Sequence, residues 1–189
     1  MILEMTRPVQ GGLRQERKLE AVSNNLANAD TTGYKKDSIS FDARFKAQIN
    51  KDYSQGTIVT TGNPLDMALS GQGFFKIETA QGIKYTRNGN FTLDSNGILT
   101  DQNGNPVMGQ GGAIAIDTLN PDQSLYISKQ GQILQDGVLL DTLDIVTFED
   151  LSQIKRDGQN LLYFEGETTR ELPADAVSVE HRALEKANV

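Results

Sequence analysis

Between Gln81 and Gly158 the chain is punctuated by dipeptides in which an amide or carboxylate residue precedes glycine, among them Gln81-Gly82, Asn88-Gly89, Asn96-Gly97, Asn103-Gly104, Asp136-Gly137 and Asp157-Gly158. Such pairs accept the positive backbone angles of tight hairpin turns, so a stretch carrying them this often is committed to short strands. Ile83, Tyr85, Phe91 and Leu93 alternate with polar residues about Asn88-Gly89, which predicts a two-residue hairpin with these four on shared faces. Phe74, Phe75 and Ile77 predict a preceding strand, and Leu143 to Phe148 a later, more buried one. The core expected from this pattern holds Phe74, Phe75, Tyr85, Phe91, Leu93, Ile145, Val146 and Phe148. Residues 149–155 read as a short helix stopped near Asp157-Gly158. No repeat of fixed period is present, and the recurring turns predict a meandering sheet.

The first residues follow another rule. Pro8 to Leu26 has no internal proline and a helix-forming composition, with Thr6 as an N-cap and Pro8 in the first turn. Val9, Leu13, Leu19, Val22 and Leu26 fall on a narrow apolar stripe interrupted by Glu16 and Arg17. A helix of this length is marginal alone in water, so the stripe needs a seat, either on its own domain or on another segment or subunit. The fold class expected is mainly β with an N-terminal α-helix. It divides into helix and turn motif (1–35), connector (36–61) with Phe41 and Phe45 as anchors and Gly56 as a break, and β domain (62–164). The charged segment 165–189, which contains Pro173, is expected to extend rather than fold on itself.

Composition narrows the function. A chain of 189 residues with 37% hydrophobic content can bury one sizeable core. A net charge of -7 argues against nucleic acid and against an anionic membrane surface, and favours proteins or neutral polymers as partners. There is no cysteine, which removes disulfides, thiolate metal sites and a thiol nucleophile. Met1-Ile2-Leu3 is cut by Glu4, Arg7 and Pro8 before it could form the core of a cleaved signal, and no run is long enough to span a bilayer. Secretion, if it occurs, is expected by another route.

The inventory for catalysis is thin. His181 is the single histidine and sits in the charged tail, where it is expected to be solvated. No glycine-rich phosphate loop precedes a helix. Asp94-Ser95-Asn96-Gly97 and Asp101-Gln102-Asn103-Gly104 lack the spacing and terminal glutamate of a calcium loop and read as β-turns. A carboxylate pair for glycoside hydrolysis would come together only in the fold, and nothing in the sequence points to one. Asp66 is expected to orient a turn with Pro64, Gly71 and Gly73 to allow close backbone approach, and Arg87 to make an ion-pair or stacking contact beside Tyr85 on a sheet surface. No catalytic residue, cofactor or metal ligand is assigned, and the chain is not expected to be an enzyme.

Where the helix should end stand Asn24, Asn25, Leu26, Ala27, Asn28, Ala29, Asp30, Thr31, Thr32, Gly33, Tyr34 and Lys35. Amides and hydroxyls compete with the helical backbone for hydrogen bonds, and Gly33 can close a reversal, but stopping a helix needs far fewer such groups. The segment resembles the N-terminal signature of the flagellar rod and hook family of axial proteins. Further blocks carry the resemblance over most of the chain: Thr61 to Phe75 with its Gly71-Gln72-Gly73-Phe74-Phe75 end, Tyr85 to Phe91, Gly104 to Gly109, and Leu184-Glu185-Lys186-Ala187-Asn188-Val189. In that family the last block leads into a long C-terminal helix that pairs with the N-terminal one, whereas here the chain stops at Val189.

The resemblance implies a structural subunit of the bacterial flagellar basal body, polymerised into the periplasmic rod and exported without a cleaved signal. Its partners would be other rod and hook subunits and copies of itself, with no nucleic acid and no membrane insertion. Modest length and a single β domain favour the rod over the hook, with the proximal rod taken ahead of the distal. Asn24, Asn25, Leu26, Ala27, Asn28, Thr31, Thr32, Gly33, Tyr34 and Lys35 are the expected assembly residues, acting at contacts between subunits. Val9, Leu13, Leu19, Val22 and Leu26 are the expected helix-packing residues. The alternative from another class is an extracellular carbohydrate-binding or adhesin module, which would stay monomeric.

Overall fold

The computed structural model describes residues 2–41, 47–117, 124–158, 160–165, 171–173 and 176–189, with the backbone alone described at 2–11, 47–49 and 171–173. Helix α1 (Ile2–Ala27) begins ahead of Thr6 and Pro8 rather than at them. Ile2 to Met5 are helix formers, and a proline within the first turns forfeits one hydrogen bond, to the Glu4 carbonyl, without ending the helix. Leu13, Leu19, Val22 and Leu26 are between 54% and 72% exposed. At about 100° per residue Leu19, Val22 and Leu26 share a face and Leu13 lies opposite them, so the expected single stripe narrows to the last three. The side chains of Val9 and Phe45 lie outside the described residues. A hairpin of β1 (Asp37–Phe41) and β2 (Ala47–Lys51) flanks the helix, with the Arg14 guanidinium 5.1 Å above the Phe41 ring.

The β body begins with β3 (Ile58–Thr60) and β4 (Met67–Ser70), followed by the hairpin of β5 (Phe74–Thr79) and β6 (Gly82–Thr86). Four two-residue strands make small turns: β7 (Thr92–Leu93), β8 (Leu99–Thr100), β9 (Met108–Gly109) and β10 (Gly112–Ala113). A three-stranded meander follows, β11 (Leu125–Ile127), β12 (Gln132–Gln135) and β13 (Val138–Thr142), leading into β14 (Ile145–Phe148). The last strands are β15 (Ile154–Arg156), β16 (Leu162–Phe164), β17 (Glu171–Pro173), β18 (Ser178–His181) and β19 (Ala183–Glu185).

The central sheet is antiparallel in the order β15-β16-β6-β5-β14-β17. Alternation along β5 sends Phe75 and Ile77 to one side and Phe74 to the other, and each side has its own apolar cluster. Phe75 meets Phe91 edge-on at 5.1 Å on the first; Phe148 stacks on Phe164 at 4.7 Å and meets Tyr85 edge-on on the second. All eight residues expected in the core are there, Leu93 and Ile145 being partly buried at its margin. Among the described residues no helix is long and apolar enough to cross a membrane.

Several local expectations are corrected. Asn88-Gly89 does not close a hairpin. β6 already has β5 on one side and β16 on the other, and Gly89 lies so close to Met67, whose N–H donates to the Gly89 carbonyl at 3.0 Å, that any side chain there would enter the Met67 carbonyl. The chain therefore crosses, and β7 pairs with β8 about Asn96-Gly97 instead. The helix expected at 149–155 is one 3-10 turn (Leu151–Gln153) capped by Asp150, because Ile154 turns inward as the first residue of β15. Asp136-Gly137 does close a hairpin, both residues taking positive φ.

The segment after Glu165 is extended where described, yet it does not stand free: β18 pairs with β4 and β19 with β3. This docking leaves His181 half-buried rather than solvated. Its Nε2 lies 2.9 Å from the Pro64 carbonyl, its ring meets Tyr126 edge-on, and burial lowers its pKa below the ordinary 6.5. The Asp94 and Asp101 turns spend their carboxylates on their own loops, Asp94 accepting from the N–H of Asn96 and Ile98, and Asp101 from those of Asn103 and Asn105. Asp66 orients its turn as expected, accepting from Thr61 Oγ1 and Asn63 Nδ2.

Candidate assembly joint

Asn25 sits in the last turn of α1 and holds the chain that returns past it. Its Nδ2 donates to the Asp37 carbonyl at 2.9 Å, and its Oδ1 accepts from the Asp37 N–H at 2.9 Å and from the Tyr34 hydroxyl at 3.1 Å. The side chain thus pairs with Asp37 as a neighbouring strand would, which requires a donor and an acceptor on one planar group; aspartate lacks the donor and alanine lacks both. Asn28 tightens the same reversal, donating to the Asn24 carbonyl at 2.8 Å and accepting from Thr31 Oγ1 at 3.3 Å. Gly33 follows with φ of +69°, and a Cβ there would come within 2.6 Å of the Arg87 carbonyl carbon. Glycine is required twice over, by conformation and by space.

Beyond the turn the segment goes inside. Tyr34 and Lys35 are buried, the Tyr34 ring lying under the Arg156 guanidinium at 4.5 Å. Lys35 Nζ donates to Glu185 Oε1 at 2.6 Å and to the Ser54 carbonyl at 2.7 Å. The second Glu185 oxygen accepts from Arg87 Nε at 3.0 Å, and the Gly56 N–H donates to Oε1 at 2.8 Å. Glu185 is fully buried. The remaining Arg87 donors reach the carbonyls of Gly71, Gly73 and Leu69. Arg87 is therefore buried rather than on a sheet surface, because Gly71 and Gly73 bend the chain so that their carbonyls converge on the guanidinium.

A carboxylate with both oxygens bound between two cations offsets much of the desolvation that burial imposes, and only a fully hydrogen-bonded set does so. Lys35 still bears part of it. Desolvation lowers its pKa from the ordinary 10.5, Glu185 opposes it, and Arg87 pushes in the same direction as burial, so the net shift is downward.

Backbone and amide contacts complete the joint. The Gly33 N–H donates to the Glu185 carbonyl at 2.8 Å. Asn188 accepts from the Lys36 N–H at 2.8 Å and donates to the carbonyls of Asp52 and Ser54. The N-terminal segment and the last residues of the chain are thus bound to each other at the root of α1.

Of the expected assembly residues, Asn25, Gly33, Tyr34 and Lys35 are brought together inside the subunit, and Asn24, Asn28 and Thr31 form a small cluster on the turn. Thr32 lends its carbonyl to Asn160 Nδ2, while Leu26 and Ala27 are exposed. Of the helix-packing residues from Leu13 onward, Leu19, Val22 and Leu26 share one exposed face, Leu13 is exposed on the opposite side, and none touches a core. Glu185, Arg87 and Asn188 were not assigned from the sequence as partners of this segment. They fall within blocks that carry the family resemblance, and that was the signal available.

Two family models match the chain: a flagella basal body rod protein model over residues 11–35, and a flagellar hook protein FlgE/F/G D1 domain model over residues 68–135. The flagellar basal-body rod protein FlgF of Caulobacter vibrioides is 33% identical, the match covering 92% of this chain and 77% of that protein. The flagellar basal-body rod protein FlgG of Bacillus subtilis is 32% identical over 85% of this chain and 73% of its own length. The flagellar hook protein FlgE of Salmonella typhimurium is 33% identical over 57% of this chain and 29% of its own length. Lys35 lies in the first matched region, Arg87 in the second, and Glu185 binds both. By the breadth of these matches the chain belongs to the flagellar rod and hook family, with the basal-body rod proteins.

Proposed function

We propose that this chain is a structural subunit of the flagellar basal-body rod that assembles with copies of itself and with other axial subunits through α1. It is not an enzyme in this reading, it is exported without a cleaved leader, and it works in the periplasmic part of the basal body. The observation that carries the reading is the pairing of a locked helix root with an unlocked helix face. Asn25, Tyr34 and the Glu185 pair fix where α1 leaves the body, while Leu13, Leu19, Val22 and Leu26 remain exposed along it. A row of exposed apolar side chains on a marginal helix is stabilised by burial against other helices. The segment Asn24 to Lys35 then serves assembly by aiming the helix, not by touching the neighbour.

The test is a Leu19→Lys, Leu26→Lys double substitution in the complete gene. Both side chains are exposed, so the thermal unfolding curve of the purified chain should be unchanged, within about 0.5 kcal/mol. Motility and the number of rods seen in isolated basal bodies should fall together. Normal rods and swimming would remove the stripe from assembly.

A further inference from the structure

The hairpin of β12 and β13 and the cleft beside β15 lie toward opposite ends of the strand order, and their surfaces are complementary. β13 leads directly into β14, near one edge of the central sheet, whereas β15 is the other edge. Four strand spacings separate β14 from β15, on the order of 19 Å. On the hairpin, Val138 and Leu139 are 63% and 52% exposed, and Leu140 is also exposed beside the register shift. In register across the sheet, Leu139 stands next to Leu134 and Leu134 next to the exposed Tyr126, so apolar side chains line an outer face. The charges of the hairpin from Gln132 to Thr142 are Asp136 and Asp141, with no cation.

The cleft has the opposite character. It encloses about 530 Å³ between β2 and the β15-β16 pair, with Tyr53, Leu151 and Tyr163 among its walls and Lys51, Lys155 and Arg156 around them. Among the described residues, two carboxylates pair with these three cations: Asp37 at 2.8 Å from Lys51 and 3.9 Å from Arg156, and Glu165 at 3.7 Å from an exposed Lys155. In a chain of net charge -7, this is a cationic recess with an apolar floor.

We infer that the acidic apolar tip of the β12-β13 hairpin of one copy seats in the cationic cleft beside β15 of a second copy. The occupant is a copy of this chain because the hairpin supplies what the cleft lacks, exposed aliphatic side chains flanked by carboxylates. Because donor and acceptor surfaces differ and lie toward opposite ends of the sheet, the contact is head-to-tail. It leaves a free hairpin and a free cleft on every pair, so further copies add in the same sense. The inference rests on the self-association proposed above and adds a second contact, made by the β body independently of α1.

The natural absence of cysteine makes the test clean. In the full chain, Leu139→Cys and Tyr163→Cys are introduced singly and together, at exposed positions that should leave the melting curve unchanged, and concentrated protein is oxidised. The double variant should give a ladder of dimers, trimers and higher species on a non-reducing gel. Each single variant should give little dimer, and adding Lys155→Glu to the double variant should suppress the ladder. A Leu139→Cys single variant that dimerises as well as the pair would overturn the head-to-tail contact in favour of hairpin against hairpin. High-mass species by light scattering without the ladder would sink the hairpin-cleft contact alone. Neither scattering nor ladder would sink self-association with it.

Discussion

Glu185 carries a larger share of the architecture than its side chain suggests, because its removal strands two buried cations at once. Glu185→Ala should destabilise the chain by about 3–5 kcal/mol, the range for breaking a buried pair and leaving charge uncompensated, read as a shift of the urea midpoint. A loss below about 1 kcal/mol would mean that water reaches Lys35 and Arg87. His181 gives a smaller, pH-dependent contribution. Its folded pKa lies below 6.5, so folding favours the neutral ring; that contribution is whole above pH 6.5 and drains away as the pH falls below it. The melting temperature should therefore drop between about pH 7 and about pH 5, and His181→Gln should reduce the drop; an unchanged slope would assign it to other groups. At this scale the sequence exposed the Asn24 to Lys35 segment because its amides crowd one short stretch. It could not expose Glu185 as the partner, since Arg87 and Lys35 lie 98 and 150 residues away and no local pattern links a buried carboxylate to distant cations.

Helix α1 and the β strands obey different rules. The inner strands β16, β6, β5 and β14 are held on both sides by ladders, whereas α1 is held at its root and along one flank by β1, with Leu19, Val22 and Leu26 in water. In dilute solution amide exchange should be fast over Gly12 to Val22 and slow in β5, β6 and β14, a contrast of several kcal/mol in opening free energy. Equal protection would show that α1 has a seat on its own subunit. The strands were largely legible, because the short apolar runs at Phe74 to Ile77 and Leu143 to Phe148 mark segments buried in the sheet. The pairing was less so. Asn88-Gly89 has hairpin chemistry, but the place beside β6 was taken by β16, whose approach depends on residues far along the chain. Tertiary competition of this kind leaves no mark on a dipeptide.

For the whole molecule, the decisive fact is that the first structured element is tied down by one of the last. Arg156 and Asn160 also hold the helix root to the β body, but the buried ion pair forms only when β19 lies beside β3 and Glu185 reaches Lys35 and Arg87. Contacts of such long sequence separation form late, since loop closure must precede them. If the tie closes after the rate-limiting step, Glu185→Ala should speed unfolding and leave the refolding rate nearly unchanged in stopped-flow measurements. Slower refolding would place the tie in the folding nucleus. The consequence reaches beyond stability. A polypeptide is made from its N-terminus, so every growing copy carries α1 long before it owns the residues that aim it. A copy broken off ahead of Glu185 would keep the exposed helix residues but lose the buried pair and the Asn188 bonds that hold the helix root. If α1 assembles with neighbours as proposed, the joint acts as a check on chain completeness, because a subunit lacking Glu185 and Asn188 loses the bonds that tie its helix root to the end of the body.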